Sequence, residues 1–476
     1  MPQRGKFYES QEFKEKLQIY EDAKKQGESV YLESDDLVDI AEYYHLFDSI
    51  NKSIEAVEYA IQLFPSATAP LVFRARVAFM IEHDVDKAKQ YVDMIEDTTD
   101  LDFYYIKMEI MLVENHVDDA EGYLQDVYAQ LDEETQADFV IDVAALYIDY
   151  SYFSHAKRWL DLSDEYEEDD YQELKGEIAY GLGNYEESEE IFNGLLDKDP
   201  FSSFYWNKLA AAQYMRGDMR TSIQSSEFAL AIDPDDYEAT LNKANCLYSL
   251  GNYEEALKYY ERYSYILPDN ALGEMYVGMT LYNLGRVEEA IERMRKAEDY
   301  AFESDEDLHV IYMELAYYLS MVGQYDEAME YLEGAKGCDV VNPAELMVLE
   351  GIILLRSGKE EEGLELFNKA IESSAHSPVI ILRVATYIYE SGIFPLAYQV
   401  FHSLLDHAAE DWRDGWSYLA YCCKALCKDE EYLTTLSIAC KRNPVEVKVI
   451  LGHLFPESLS TDDYVEYAKQ HQQLTN

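Results

Sequence analysis

An all-α fold built from stacked helix pairs is what this sequence predicts, on three observations. Glycine and proline are scarce, 21 and 11 in 476 residues, and no Val/Ile-rich stretch alternates as a half-buried strand would. Four residue types recur in phase every 34 residues: Gly183, Gly217, Gly251 and Gly285; Pro200, Pro234 and Pro268; the small residues Gly176, Ala210, Ala244 and Gly278; and Tyr180, Tyr214, Tyr248 and Tyr282. The chain is also 48% hydrophobic, with 43 Tyr, 18 Phe and 4 Trp, which is enough to bury a long core. A fixed period of this size marks an architecture that grows by adding units, so the length sets no domain count.

Each unit reads as two helices. In residues 237–270, apolar and small positions recur at three- and four-residue spacing through Leu241, Ala244 and Leu247, then through Ala256, Leu257 and Tyr260. Gly251 stands where the first helix must stop, because glycine accepts the left-handed conformation that follows a helix. Glu254 and Glu255 fall in the first turn of the second helix, where carboxylates suit the positive end of its dipole. Pro268 ends that helix, and Asp269-Asn270 turn the chain into the next unit. Ala244 and Ala256 mark the closest approach of the two helices, where anything larger would overpack the pair.

This pattern resembles the tetratricopeptide repeat. Unit 203–236 supplies Trp206, Leu209, Ala210, Gly217, Ser222, Ala229 and Pro234 at the family's signature positions. Unit 413–446 supplies Trp416, Leu419, Ala420 and Pro444 but departs at Cys427 and Tyr432. Units 309–342, 344–377 and 378–411 keep Gly323, Gly358 and Gly392, followed by Ala328, Gly363 and Ala397. Units near 34–67, 69–100, 101–134 and 137–168 are degenerate. They keep Pro65, Ala88, Ala120 and Ala156 but carry Asp48, His83, Asn115 and Ser151 where glycine is expected. Some twelve units result. The resemblance implies a right-handed superhelix, or α-solenoid, of helix-turn-helix units that binds other proteins and performs no catalysis. The expected organisation is a leading helix and cap over 1–33, degenerate repeats over 34–168, well-matched repeats over 169–446, and a capping helix over 447–476. An acidic joint at 161–175 and four extra residues within 298–308 interrupt the rhythm.

Charge narrows the partners. With 95 acidic against 38 basic residues the formal charge is −57, which disfavours phosphate backbones and anionic membranes and attracts basic proteins. Solubility of a long tyrosine-rich stack is the plainer reason for such a charge. The amino-terminal stretch has no apolar signal core, no 18-residue apolar run occurs, and the six cysteines are unevenly spread, so a reducing cytoplasm is the expected location.

Enzyme signatures are missing. Gly181-Leu182-Gly183 lacks the third glycine of a dinucleotide loop and follows a helix rather than a strand, and Arg216-Gly217-Asp218 is a repeat turn. The best chemical candidate is the cluster Cys422, Cys423 and Cys427 with Cys440 beyond. Cys423 and Cys427 share a helix face and could supply two ligands to a soft metal, but Cys423 and Cys440 fall on core positions of the repeat. No cofactor is expected.

In tetratricopeptide proteins the first helices line a concave groove. By that resemblance the candidate partner-binding residues are Tyr180, Tyr214, Leu241, Asn242, Asn245, Tyr248, Met275, Met279, Tyr282, Met313 and Tyr317, with Tyr389 in the same row. Such a Tyr/Met wall suits an extended peptide or a helix that is apolar with a basic flank. Packing between neighbouring repeats is the alternative use of the tyrosines. The carboxylate clamp of one subclass is absent, because Asn207, Ala211, Leu272 and Tyr276 stand where its Lys, Asn and Arg are needed beside Asn242. A monomer or weak homodimer that binds a protein is the leading expectation. A self-associating structural scaffold, or a regulatory subunit with metal near 422–440, are the alternatives.

Overall fold

A computed structural model describes the chain apart from residues 1–6, 9, 31, 48, 164–167, 302–306, 339–340, 457 and 473–476. Among the described residues there are 27 α-helices, two short 3-10 turns and no strand. A helix over Gln11–Gln26 leads, and twelve helix pairs follow, from Ser34–Phe47 with Ile50–Leu63 to Trp416–Ala425 with Asp429–Arg442. Helices Pro444–Leu451 and Tyr464–Gln472 close the chain and pack on the last pair. Asp48 and parts of both interruptions, residues 164–167 and 302–306, lie outside the described residues.

The chain divides into two compact units, Met1–Ile191 and Phe192–Asn476. The break falls inside the helix Tyr185–Lys198 rather than at the acidic joint. The first unit holds two apolar clusters, one running from Tyr8 to Ile110 and one from Tyr105 to Ile178. A single cluster runs through most of the second, from Ala244 to Ala468.

The turn inside each pair is a small machine for reversing the chain. Gly183, Gly217, Gly251, Gly285, Gly323, Gly358 and Gly392 all lie in the left-handed region, with φ between 71° and 89°. The residue after each one reaches back across the turn: the Asn184 N–H donates to the Ala179 carbonyl at 2.8 Å and the Asn252 N–H to that of Leu247 at 2.9 Å. These bonds satisfy carbonyls that the end of a helix would otherwise orphan. Three of the degenerate repeats and unit 413–446 keep the turn without its glycine. His83, Asn115, Ser151 and Cys427 adopt φ of 53°, 61°, 62° and 55°. The reaching bond persists at 2.8 Å from His116 to Met111 and from Tyr152 to Tyr147, and at 2.9 Å from Lys428 to Cys423.

A side chain bearing a Cβ is strained in that region, by roughly 1 kcal/mol. Ser151→Gly and Cys427→Gly should therefore each stabilise the protein by about 1 kcal/mol, and Asn115→Gly by less because Asn tolerates the region. Urea unfolding reads this out. Midpoints unchanged or lowered in both variants would show that these turns hold no strain.

Small residues let the two helices of a pair touch. Ala244 and Ala256 are fully buried. The hydroxyls of Ser53 and Ser222 each donate at 2.7 Å to a carbonyl of the partner helix, Ala41 and Ala210 respectively. The closest approach is at Gly363, where a Cβ would lie 2.6 Å from the Gly351 carbonyl oxygen of the paired helix Pro343–Arg356.

Two buried ionic clusters knit the first unit together. Arg74, 2% exposed, bonds Glu58 at 2.7 Å and grips Glu82 with two nitrogens at 2.8 and 3.1 Å. Its guanidinium also lies 4.9 Å from the centre of the Tyr91 ring, whose hydroxyl donates to Glu58 at 2.8 Å. Farther along, buried Glu109 accepts from Arg76 at 2.7 Å and from the Tyr150 hydroxyl at 3.4 Å.

Within the second unit the chain returns on itself. A Cβ on Gly251 would lie 3.1 Å from Val449 Cγ2 and 3.6 Å from Val445 Cγ1, so the turn of pair 237–266 rests on the helix Pro444–Leu451. Among the described residues, no helix is long and apolar enough to cross a membrane.

Candidate groove of the second unit

The row of tyrosines expected on the first helices exists, and it is wired from one pair to the next. Tyr214, on Ser203–Met215, has its hydroxyl 3.2 Å from the Ser249 hydroxyl on Tyr237–Ser249. Tyr248 accepts a bond from Asn283 at 2.8 Å, and the Tyr282 and Tyr317 hydroxyls are 3.3 Å apart. Each link spans 35 residues, which is one repeat plus one position for Tyr214 and Tyr248, whereas the four extra residues within 298–308 place Tyr317 three positions short of the repeat equivalent of Tyr282. Side-chain length explains the offset: a phenol at the end of one first helix reaches the last turn of the next. Tyr180, in the first unit, packs edge-on against Tyr185 of its own pair at 5.5 Å. Tyr389 meets Phe394, Tyr418 and Tyr421 at 5.1 to 5.6 Å.

The other candidate residues divide by exposure. Met275 is buried, while Leu241, Met279 and Met313 are half-buried. Asn245 accepts the Tyr260 hydroxyl at 2.8 Å, and Asn242 donates to the Asn207 carbonyl at 3.4 Å, so both amides have partners within the fold.

A polar cluster that the repeat pattern did not single out completes this face. Arg356 donates to the Ser320 hydroxyl at 2.8 Å and to the Tyr317 hydroxyl at 3.2 Å, and lies 3.5 Å from Glu390. Tyr317 also donates to Glu390, and its ring stacks on Tyr387 at 4.7 Å with 17° between the planes. The Arg356 guanidinium covers the same Tyr317 ring at 4.7 Å. Arg383 pairs with Glu345 at 3.3 Å. Burial, with the nearby Glu314 carboxylate, pushes Glu390 up to about 7. Burial raises Glu314 as well, against a bond from Tyr318. Glu314, Tyr317, Arg383, Tyr387 and Glu390 border a cavity of 360 Å³, walled on its apolar side by Met313, Leu349, Val379 and Leu382. A sequence signal existed: charges at Glu314, Arg356, Arg383 and Glu390 break otherwise apolar first helices.

The cysteines take their place in packing. Cys422, Cys423 and Cys440 are buried, and burial raises their thiols to about 12, 11 and 11. Cys427 is exposed on the left-handed turn. Among the described residues no three His, Cys, Asp or Glu side chains gather as a metal site would need.

Comparison with known proteins follows the same lines. Residues 235–304 match the family model for the tetratricopeptide repeat. No curated protein matches the chain. Among solved structures, YrrB, described as a TPR protein with an unusual peptide-binding site, is 17% identical over 40% of this chain and 95% of its own, with a TM-score of 0.33. A MamA fragment from Desulfovibrio magneticus RS-1 is 17% identical over 35% and 92%, with a TM-score of 0.32. The APC/C hetero-tetramer Cut9-Hcn1 is 12% identical over 98% and 95%, with a TM-score of 0.37. The chain is thus an all-α array of helix pairs, of which residues 235–304 match the tetratricopeptide-repeat family model and further helix pairs precede and follow.

Proposed function

We propose that the chain is a non-catalytic interaction scaffold that holds a segment of another protein along the first helices of residues 203–342. The observation that carries this reading is the half-exposed strip of Tyr248, Met279, Tyr282 and Met313, set on helices fixed to one another by the tyrosine links. A rigid wall of aromatic and thioether groups binds apolar side chains at small entropic cost. The acidic surface favours a segment with basic flanks and makes the association sensitive to salt.

The test is capture of partners on the immobilised full chain at low and at high salt. Tyr248→Ala with Met279→Ala is expected to lose the proteins retained by the wild type, and high salt to release them. Equal retention by the double variant, with its helical content intact, would overturn the groove. Self-association is the second reading, favoured by Phe201 and Tyr265, which are 79% and 85% exposed. Light scattering separates the two, because a strict monomer excludes it.

A further inference from the structure

The 360 Å³ cavity has an unusual balance of charge. Three charged side chains border it, Glu314, Arg383 and Glu390, and a fourth, Arg356, is bonded to two lining residues, Tyr317 and Glu390. Three of them are neutralised. Arg356 lies 3.5 Å from Glu390, and Arg383 lies 3.3 Å from Glu345. Glu314 has no Lys, Arg or His nitrogen within 4.0 Å among the described residues: its bond comes from the neutral Tyr318 hydroxyl of its own helix, and the Arg383 charge acts on it only from beyond contact distance. A carboxylate on a largely apolar wall with no cation in contact is costly, and an arriving cation relieves that cost.

The shape of the wall selects which cation. The Tyr317 ring already carries Arg356 and stacks on Tyr387, and Tyr282 stacks on Tyr318 at 4.6 Å with 12° between the planes. With that ring already engaged by one guanidinium and one phenol of the protein itself, it offers a second planar guanidinium little to lie on. What the cavity offers is an apolar passage past Met313, Leu349, Val379 and Leu382, with a carboxylate beside it. A long aliphatic stem ending in a compact ammonium fits that description, and this is a lysine.

Resting on the groove reading above, we propose that this cavity receives a lysine side chain of the bound segment, with its ammonium against Glu314. The cavity continues the tyrosine strip, since Tyr282, Met313 and Tyr317 line both. A segment lying along residues 203–342 therefore places a basic residue here at its end.

A synthetic random peptide library, presented to the purified full chain, tests this directly. The retained peptides should share a lysine at one fixed place relative to their apolar residues. Changing that lysine to norleucine, which keeps the stem and removes the ammonium, should weaken binding about ten- to a hundredfold, and changing it to arginine should weaken it less. Glu314→Gln should bind the lysine and norleucine peptides equally. Retained peptides without lysine selection, or a lysine preference that survives in Glu314→Gln, would overturn the cation site while leaving the groove standing. Failure of the wild type to retain any peptide would remove the groove and this site with it. The norleucine comparison uses the wild-type chain, so it holds even if the variant folds poorly.

Discussion

Gly363→Ala should destabilise the second unit by about 1–2 kcal/mol, although alanine is the better helix former. Two effects of opposite sign compete. Replacing glycine inside a helix contributes about 1 kcal/mol of intrinsic propensity. Against it, the new methyl would stand 2.6 Å from the Gly351 carbonyl oxygen and 3.1 Å from the Leu355 nitrogen. Both are backbone atoms of the paired helix, so neither moves without displacing that whole helix, and overpacking of this kind costs roughly 1–3 kcal/mol or beyond. The clash wins. Gly194→Ala is the control: it lies in the helix Tyr185–Lys198, nothing stands within 4 Å of the added carbon, and only the propensity gain applies. Gly194→Ala should raise stability by about 1 kcal/mol. Repeat arrays need not unfold in one step, so urea midpoints should be joined to hydrogen exchange over residues 343–373. Equal stability of the two variants would refute the close approach.

Arg74→Met should be the most damaging single change in the first unit, at about 3 kcal/mol. Methionine fills much of the volume, so lost packing is a minor part. The damage comes from Glu58 and Glu82, which the guanidinium joins at 2.7 and 2.8 Å. Once it is gone, Glu82 keeps only Lys87 at 2.7 Å, and Glu58 keeps the Tyr91 hydroxyl. Both carboxylates are partly solvated, 37% and 26% exposed, which holds the loss to the lower part of the range for a broken buried pair. Arg74→Lys should recover only part of it, because a point charge cannot fork across two carboxylates and over Tyr91 together. Thermal melts and exchange protection over residues 68–92 give the measurement. A wild-type melt for Arg74→Met would show that the cluster contributes nothing net.

What the sequence revealed, and what it hid, follows from the range of the forces involved. The helix pairs were legible because each is written locally: Gly251 stops one helix, Glu254 and Glu255 begin the next, and the small residues Ala244 and Ala256 are fully buried between them and their neighbours. The degenerate turns were harder, since the backbone at Ser151 and Cys427 takes the glycine conformation without the glycine. A search for the residue misses a position at which only the φ angle is kept. The tyrosine row could be placed on the first helices, but its 35-residue links depend on side-chain reach across a pair interface. For the cluster of Tyr317, Arg356, Tyr387 and Glu390 the sequence showed Tyr317 and the charges on apolar helices but not that they meet. Tyr317 and Tyr387 are 70 residues apart and skip an intervening pair. Their contact arises from the curvature accumulated over three pairs, and no local window carries that quantity.

The seat of the Gly251 turn on Val445 and Val449 bears on how the second unit responds to force. The turns at Gly217, Gly285, Gly323, Gly358 and Gly392 have nothing within 4 Å of the place a Cβ would occupy. A stack held only by neighbour-to-neighbour interfaces stretches like a spring, each joint giving a little. Here one coil is latched to the end of the stack, so load applied across the unit meets the latch before it reaches the joints. Small extensions are resisted stiffly, and compliance begins only when the valines leave the turn.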